Sequence, residues 1–230
     1  MLATGLISLA AQHAPGNAHA PTSGAQFYVL DGTRPDSPQA GFWDRVASVV
    51  PHAVKVVGPR GASEVIAQIA AELARREAAG DESSPPIYLF VYDLSRFRDL
   101  RKAEDDFGFA RAEEEGPPQP GRQFRTILHE GPAFGIHALI WCDSLNSVGR
   151  SLDRQGLDDV EMRVLFRMNA ADSSSLIDSP AASQLGLHRA LFDDQGQNLL
   201  EKFRPYGPPS SQWLAWVKTR LCGPETSPSG

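Results

Sequence analysis

Cysteine and lysine are scarce in this 230-residue chain, and their scarcity excludes several kinds of protein. Two cysteines, Cys142 and Cys222, are too few for a disulfide scaffold and have no metal-ligand spacing. Four lysines (Lys55, Lys102, Lys202 and Lys218), none of them after a glycine, leave no GxxxxGK(S/T) phosphate loop. A GxSxG nucleophile elbow and a glycine-rich dinucleotide fingerprint are also missing. No run approaches the ~20 apolar residues of a transmembrane helix. Met1–Gln12 lacks a basic n-region, and Leu2, Leu6 and Leu9 recur at helical spacing, so it reads as a core helix rather than a signal peptide. The expected compartment is the cytoplasm. A net charge of -6 argues against a basic nucleic-acid footprint over the whole surface and leaves room for a local basic face.

What the chain does have is one long buried strand. Pro85-Pro86-Ile87-Tyr88-Leu89-Phe90-Val91-Tyr92-Asp93 is an apolar run that follows a proline break and finishes on a carboxylate. Such a run reads as the two-sided strand of a parallel α/β sheet. Its terminal acid falls where open α/β sheets bind ligands. Gln26–Asp31 and Ile136–Cys142, the latter followed by Asp143, repeat the pattern. Between the strands lie amphipathic stretches: Phe42–Val50, a helix with Ser63 as its expected N-cap and Gly80 as its stop, and Gln123–Gly131. Ala53–Val57 and Arg163–Met168 read as further strands, and Asp172 as a helix cap. Asp193-Asp194-Gln195-Gly196 reads as the turn of a hairpin between Arg189–Phe192 and Leu199–Phe203. Trp213, Trp216, Val217 and Arg220 suggest a closing helix. The alternation predicts one α/β domain over 1–222, with an acidic, Pro-rich excursion at 103–122 and a loose tail at 223–230.

On the residues alone, Asp93 is either a Mg²⁺ ligand or a turn acid at a strand end. Asp31, beside Gly32, reads more readily as a turn acid. His137 reads as a core histidine. Arg96, Arg98, Arg101 and Lys102 read as a solvated face balanced by Asp99, or as phosphate contacts. Arg163 reads as a salt-bridge partner, or as an arginine finger acting in trans.

From Phe124 to Tyr206 the chain resembles the motor domains of the FtsK/SpoIIIE family, RecA-like P-loop ATPases of the HerA/FtsK superfamily. The resemblance rests on Gly131-Pro132-Ala133-Phe134-Gly135-Ile136-His137-Ala138-Leu139-Ile140 and on Arg163–Met168. It continues through Ala171-Asp172-Ser173-Ser174-Ser175-Leu176-Ile177-Asp178 and through Gly186 with Arg189-Ala190-Leu191-Phe192. More weakly, it runs back to Leu2. It implies a RecA-like three-layer sandwich with a mostly parallel central sheet and a C-terminal edge hairpin. Pro86–Asp93 stands where the family has its Walker B strand, so the resemblance implies Asp93 as the Mg²⁺ ligand, with Asp31 nearby at the nucleotide. Met1–Ala11 matches the helix that in the family begins at the phosphate loop. The family's catalytic Glu is replaced by Leu94, and its sensor Gln by Asp143, where an anion repels phosphate.

The expected function is an ATPase-fold module of a translocase that does not hydrolyse ATP efficiently as it stands. The alternative is a non-enzymatic assembly or regulatory module on the same fold. ATP and Mg²⁺ are the implied cofactors, weakly held. The implied partners are other ATPase modules in a ring or tandem array, with DNA or a secreted protein as the translocated substrate.

Overall fold

The computed structural model describes residues 1–17, 21–102 and 119–223. The acidic excursion and the loose tail fall almost wholly outside these. Two compact units divide the chain: Leu2–Asp153 with the segment from Pro208 onward, and Arg154–Gly207.

The larger unit is a parallel α/β layer structure. β1 (Gln26–Asp31), β2 (Val54–Val57), β3 (Ile87–Tyr92) and β4 (Ile136–Trp141) form one all-parallel sheet in the order β2-β1-β3-β4. β3 carries the unbroken apolar run, and five of its six residues are buried. It sits between β1 and β4, where both faces of a strand are covered. Each large side chain so removed from water contributes about 1.5–3 kcal/mol. On one face Phe27, Val29, Tyr88 and Phe90 pack with α1 (Leu2–Gln12), α2 (Phe42–Ala47) and α8 (Ser211–Cys222) through Leu6, Trp43, Val46, Leu214 and Val217. The alternate residues of the same strands, Tyr28, Leu30, Leu89 and Val91, are equally buried. That face meets α3 (Ala62–Ala79), whose Gln68 donates to the Tyr28 hydroxyl at 3.1 Å, and α3 in turn packs on α4 (Pro120–Glu130). The expected α/β class with a parallel central sheet is the one observed.

Several local expectations change. The helix expected behind a Ser63 cap begins two residues earlier, at Ala62 behind Gly61, and the Ser63 hydroxyl donates to Asp99 at 2.8 Å instead of capping. Gly80 does stop it, in a left-handed conformation (φ 60°) that glycine adopts without strain. α4 starts at Pro120 rather than Gln123, because proline at the first helical position sacrifices no hydrogen bond. β4 is an edge strand, so only Ile136 is fully buried. His137 is accordingly half-buried, stacked on Tyr88 at 5.6 Å, and desolvation holds its imidazole below the usual pKa.

The smaller unit holds a three-stranded antiparallel sheet, β5 (Met162–Leu165), β6 (Ala190–Asp194) and β7 (Leu199–Phe203), in the order β5-β6-β7. The hairpin forms as expected. It pairs with β5, however, and does not extend the parallel sheet, and Arg163–Met168 is no strand of that sheet either. The β5 burial pattern alternates exposed and buried, which suits an antiparallel strand with one covered face. α7 (Ala170–Ile177) is capped by Asn169, whose Oδ1 accepts from the Asp172 N–H at 2.8 Å; Asp172 itself lies in the first turn.

At the C-terminal end of α3, Arg76 is 1% exposed. Its Nε donates to Glu72 at 2.8 Å, and its two terminal nitrogens donate to the Phe134 and Pro85 carbonyls at 2.8 and 2.9 Å. Arg75 donates to both Glu72 oxygens and to Asp81. Hydrogen bonding from Arg75 and then Arg76 outweighs desolvation and pulls the Glu72 carboxyl down to about 2. A depressed carboxyl stabilises the fold above its unfolded value and ceases to do so as pH falls through the folded one. This contribution is therefore complete above about pH 4.5 and gone near about pH 2. Glu72 is partly solvent-facing, so the effect is on the order of 1 kcal/mol after screening. Urea midpoints across that window should fall further for the native chain than for Glu72→Gln. Parallel losses in the two proteins would contradict it.

Candidate functional site

The strand order places the site. From β1 the chain moves outward to β2, then returns across β1 through α3 to β3, so the winding reverses between β1 and β3. In an open α/β sheet the crevice at such a reversal, outside the carboxyl ends of the strands, is the ligand position. Asp31 is the last residue of β1 and pairs in register with Tyr92; Asp93 follows Tyr92, and Trp141 of β4 pairs with Tyr92 on the other side. All strands being parallel, Asp31, Asp93 and Asp143 stand on one rim, with Asp31 and Asp93 flanking the reversal.

The rim is built tightly. The Gly32 N–H donates to the Tyr92 carbonyl at 2.9 Å, and a Cβ there would lie 2.5 Å from that oxygen and 2.9 Å from the Asp93 carbonyl. Only glycine allows the two loops this close approach. The Asp31 Oδ1 accepts from the Thr33 N–H at 2.8 Å. Asp93 takes a left-handed backbone (φ 63°, ψ 70°), and its Oδ1 accepts from the Ser95 hydroxyl. A non-glycine residue at positive φ is uncommon and is tolerated best by Asp and Asn. Each carboxylate thus has one oxygen fixed, and no described group occupies the other.

The charges report on one another through their neighbours. Burial raises the Tyr92 phenol, and the Asp93 and Asp31 carboxylates raise it further. Burial likewise raises the Cys142 thiol, with Asp143 and Asp93 adding to it. Asp143 is exposed; the Ser147 hydroxyl, more than that of Ser144, holds its carboxyl below the usual range, so it is an anion at neutral pH. Tyr92 stacks on Trp141 at 5.0 Å and donates to Gln39 at 3.0 Å, giving the rim a rigid aromatic floor.

α1 runs against the strands. Gly5 faces Leu139 far along β4, whereas His13, just past its C-terminus, accepts or donates with the Tyr88 hydroxyl near the start of β3. The first turn of α1 is therefore the end nearer the acidic rim, and a helix N-terminus favours anions. Among the described residues no three His, Cys, Asp or Glu side chains converge to hold a metal ion. Magnesium, however, is usually held by one or two carboxylates plus substrate phosphates rather than by an all-protein cage.

Comparison with known proteins is sparing. No family model matches the chain, and no curated protein does. Among solved structures it is similar to B204, the DNA-packaging ATPase of Sulfolobus turreted icosahedral virus: 13% identity, TM-score 0.49, over 80% of this chain and 83% of that one. It is also similar to the genome-packaging NTPase B204 of Sulfolobus turreted icosahedral virus 2 in complex with AMP: 13% identity, TM-score 0.48, over 79% and 83%. The same NTPase in complex with AMPPCP gives 11% identity and a TM-score of 0.46 over 79% and 83%. A likeness of this size says nothing by itself about what this chain binds or does.

The remaining sequence candidates part company with the rim. Leu94 is 1% exposed and belongs to the core, so the position after Asp93 does not face ligand at all. Arg163 is buried, its guanidinium donating to the carbonyls of Val160, Leu157 and Leu176, with Asp158 at 3.9 Å. With every guanidinium nitrogen engaged and the side chain only 8% exposed, Arg163 is not presented to a neighbouring subunit's nucleotide, and the salt bridge is its weakest contact. Arg96 and Arg98 are exposed, while Arg101 folds back onto the Ser95 carbonyl at 3.2 Å. Sequence reasoning missed the buried Arg76 cluster, for which the only signal was an arginine within an otherwise apolar helical stripe. Among the described residues no helix is long and apolar enough to cross a membrane.

Proposed function

We propose that the acidic rim is a nucleotide site and that the chain is an FtsK/SpoIIIE-like ATPase-fold module which binds ATP·Mg²⁺ weakly without turning it over. One observation carries this reading: the winding reversal falls between β1 and β3, where Asp31 and Asp93 each keep one carboxylate oxygen unpartnered. Asp93, with Asp31, would hold the Mg²⁺, and the ion would neutralise phosphate charge at the rim. The start of α1 would face the phosphates. A regulatory or assembly role without turnover is favoured by Leu94, which lies in the core where the family has its catalytic acid. On this reading the module works in the cytoplasm beside others of its fold, in a ring or tandem array. Translocation of DNA or a secreted protein is then a property of the assembly. The single domain expected over 1–222 is retained here as one functional module containing both compact units.

Titration of a fluorescent ATP analogue into the 230-residue chain tests the site. With Mg²⁺ the dissociation constant is expected on the order of 1 mM, about 4 kcal/mol of binding. Asp93→Asn should weaken binding roughly tenfold and remove its dependence on Mg²⁺, since about 1.4 kcal/mol is a factor of ten. Binding indifferent to both Mg²⁺ and Asp93→Asn would refute the assignment.

A further inference from the structure

The smaller unit has a cavity of about 780 Å³ lined by Phe166, Arg167, Gly186, Leu187, His188, Arg189, Arg204, Pro205, Tyr206 and Gly207. Two features separate it from ordinary surface. First, its lining carries three arginines and a histidine but no acid, in a chain with 28 acidic and 22 basic residues. Arg167, Arg189 and Arg204 are exposed, and none has an ion-pair or hydrogen-bond partner among the described residues. Secondly, large apolar side chains stand open to water beside those cations: Leu187 is 85% exposed, Tyr206 82% and Phe166 45%. Exposed apolar surface clustered in this way marks an interaction site. At the cavity wall His188 holds a left-handed backbone (φ 56°), and sparsely populated conformations of this kind gather at ligand-binding loops.

We propose that this cavity binds single-stranded nucleic acid. Unpaired guanidinium groups meet phosphates with a fork of donors, and they also stack on bases. Aromatic rings at the edge of a basic groove are the platform on which successive bases of a single strand stack, whatever their sequence. A free mononucleotide fits less well, because small-molecule sites bury most of their ligand and these rings lie open. A duplex fits less well too, since its bases are already stacked on one another and cannot reach Tyr206 or Phe166. An acidic peptide satisfies the arginines and gives the open rings no matching planar partner. The proposal does not depend on nucleotide binding at the acidic rim.

Fluorescence anisotropy of a labelled oligothymidylate with the full chain tests it. Binding should weaken steeply with salt, because each neutralised phosphate releases counterions. Tyr206→Ala should weaken it about tenfold, a stacking loss typical for one base. Arg204→Ala should weaken it and flatten the salt dependence, while Arg204→Lys restores the salt dependence and only part of the affinity. Both positions are solvent-exposed, and circular dichroism should show each variant folded. No binding at low salt, equal affinity for a duplex of the same length, or equal displacement by AMP or by polyglutamate would overturn the proposal. An unchanged affinity in Tyr206→Ala would do the same.

Discussion

Arg76→Ala is expected to cost about 2–4 kcal/mol of folding stability, chiefly because two partly buried carbonyls lose their donor. The guanidinium is 1% exposed and has all three nitrogens engaged, so truncation leaves the Phe134 and Pro85 carbonyls without their donor. Each unsatisfied buried acceptor costs about 1–3 kcal/mol. Glu72 keeps Arg75 and so stays ionised, which limits the loss on that side. Against the ~5–15 kcal/mol that holds a typical domain, this is a large fraction. The clamp ties the end of α3 to the segments leading into β3 and β4, so its loss loosens the strands that present Asp93 and Asp143. Arg76→Lys should recover less than half, because one ammonium cannot span two carbonyls and a carboxylate. Chemical denaturation measures both variants, and a loss under about 1 kcal/mol for Arg76→Ala would show the clamp to be dispensable.

ATP hydrolysis by this chain is expected at background, and the deficit is larger than any single substitution accounts for. Phosphoryl transfer depends on a cradle of backbone N–H groups with a lysine, on a group that orients water, and on a polar sensor of the γ-phosphate. The 230 residues contain no GxxxxGK(S/T) cradle. Leu94 has no polar atom and is buried. Asp143 is held ionised by Ser147 and Ser144, and so repels the group it would need to stabilise. Each lost electrostatic contribution costs about 10²–10³ in rate, so even two of them remove about 10⁴ or more. Placing a carboxylate at position 94 would not restore turnover, since it would enter the core and be destabilising there.

Much of the larger unit was legible because its strands are continuous apolar runs closed by Pro, Gly or Asp. β1 and β3 have the expected limits, and from a parallel sheet it follows directly that Asp31, Asp93 and Asp143 share a rim. Strand partnership was less legible. Arg163–Met168 looked like one more buried strand, but Met162 and Val164 are exposed and its partner is the hairpin. Local sequence records burial on average, not which strand lies alongside. Caps failed for a similar reason: Ser63 and Asp172 have capping chemistry, yet Gly61 and Asn169 precede the helices, and an offset of a few residues decides which side chain reaches the free N–H groups. The roles of Arg76 and Arg163 were invisible, because their partners are carbonyls as far as 58 residues away, positions that carry no side-chain signal.

Phosphate release by the purified chain, with ATP and Mg²⁺ in excess, tests the central claim most directly when the native protein is compared with Asp93→Ala. The two should be indistinguishable from the buffer rate, while the native protein alone retains Mg²⁺-dependent binding of the ATP analogue. Mg²⁺-dependent phosphate release by the native chain, abolished by Asp93→Ala, would contradict the account and make this rim the centre of a working ATPase.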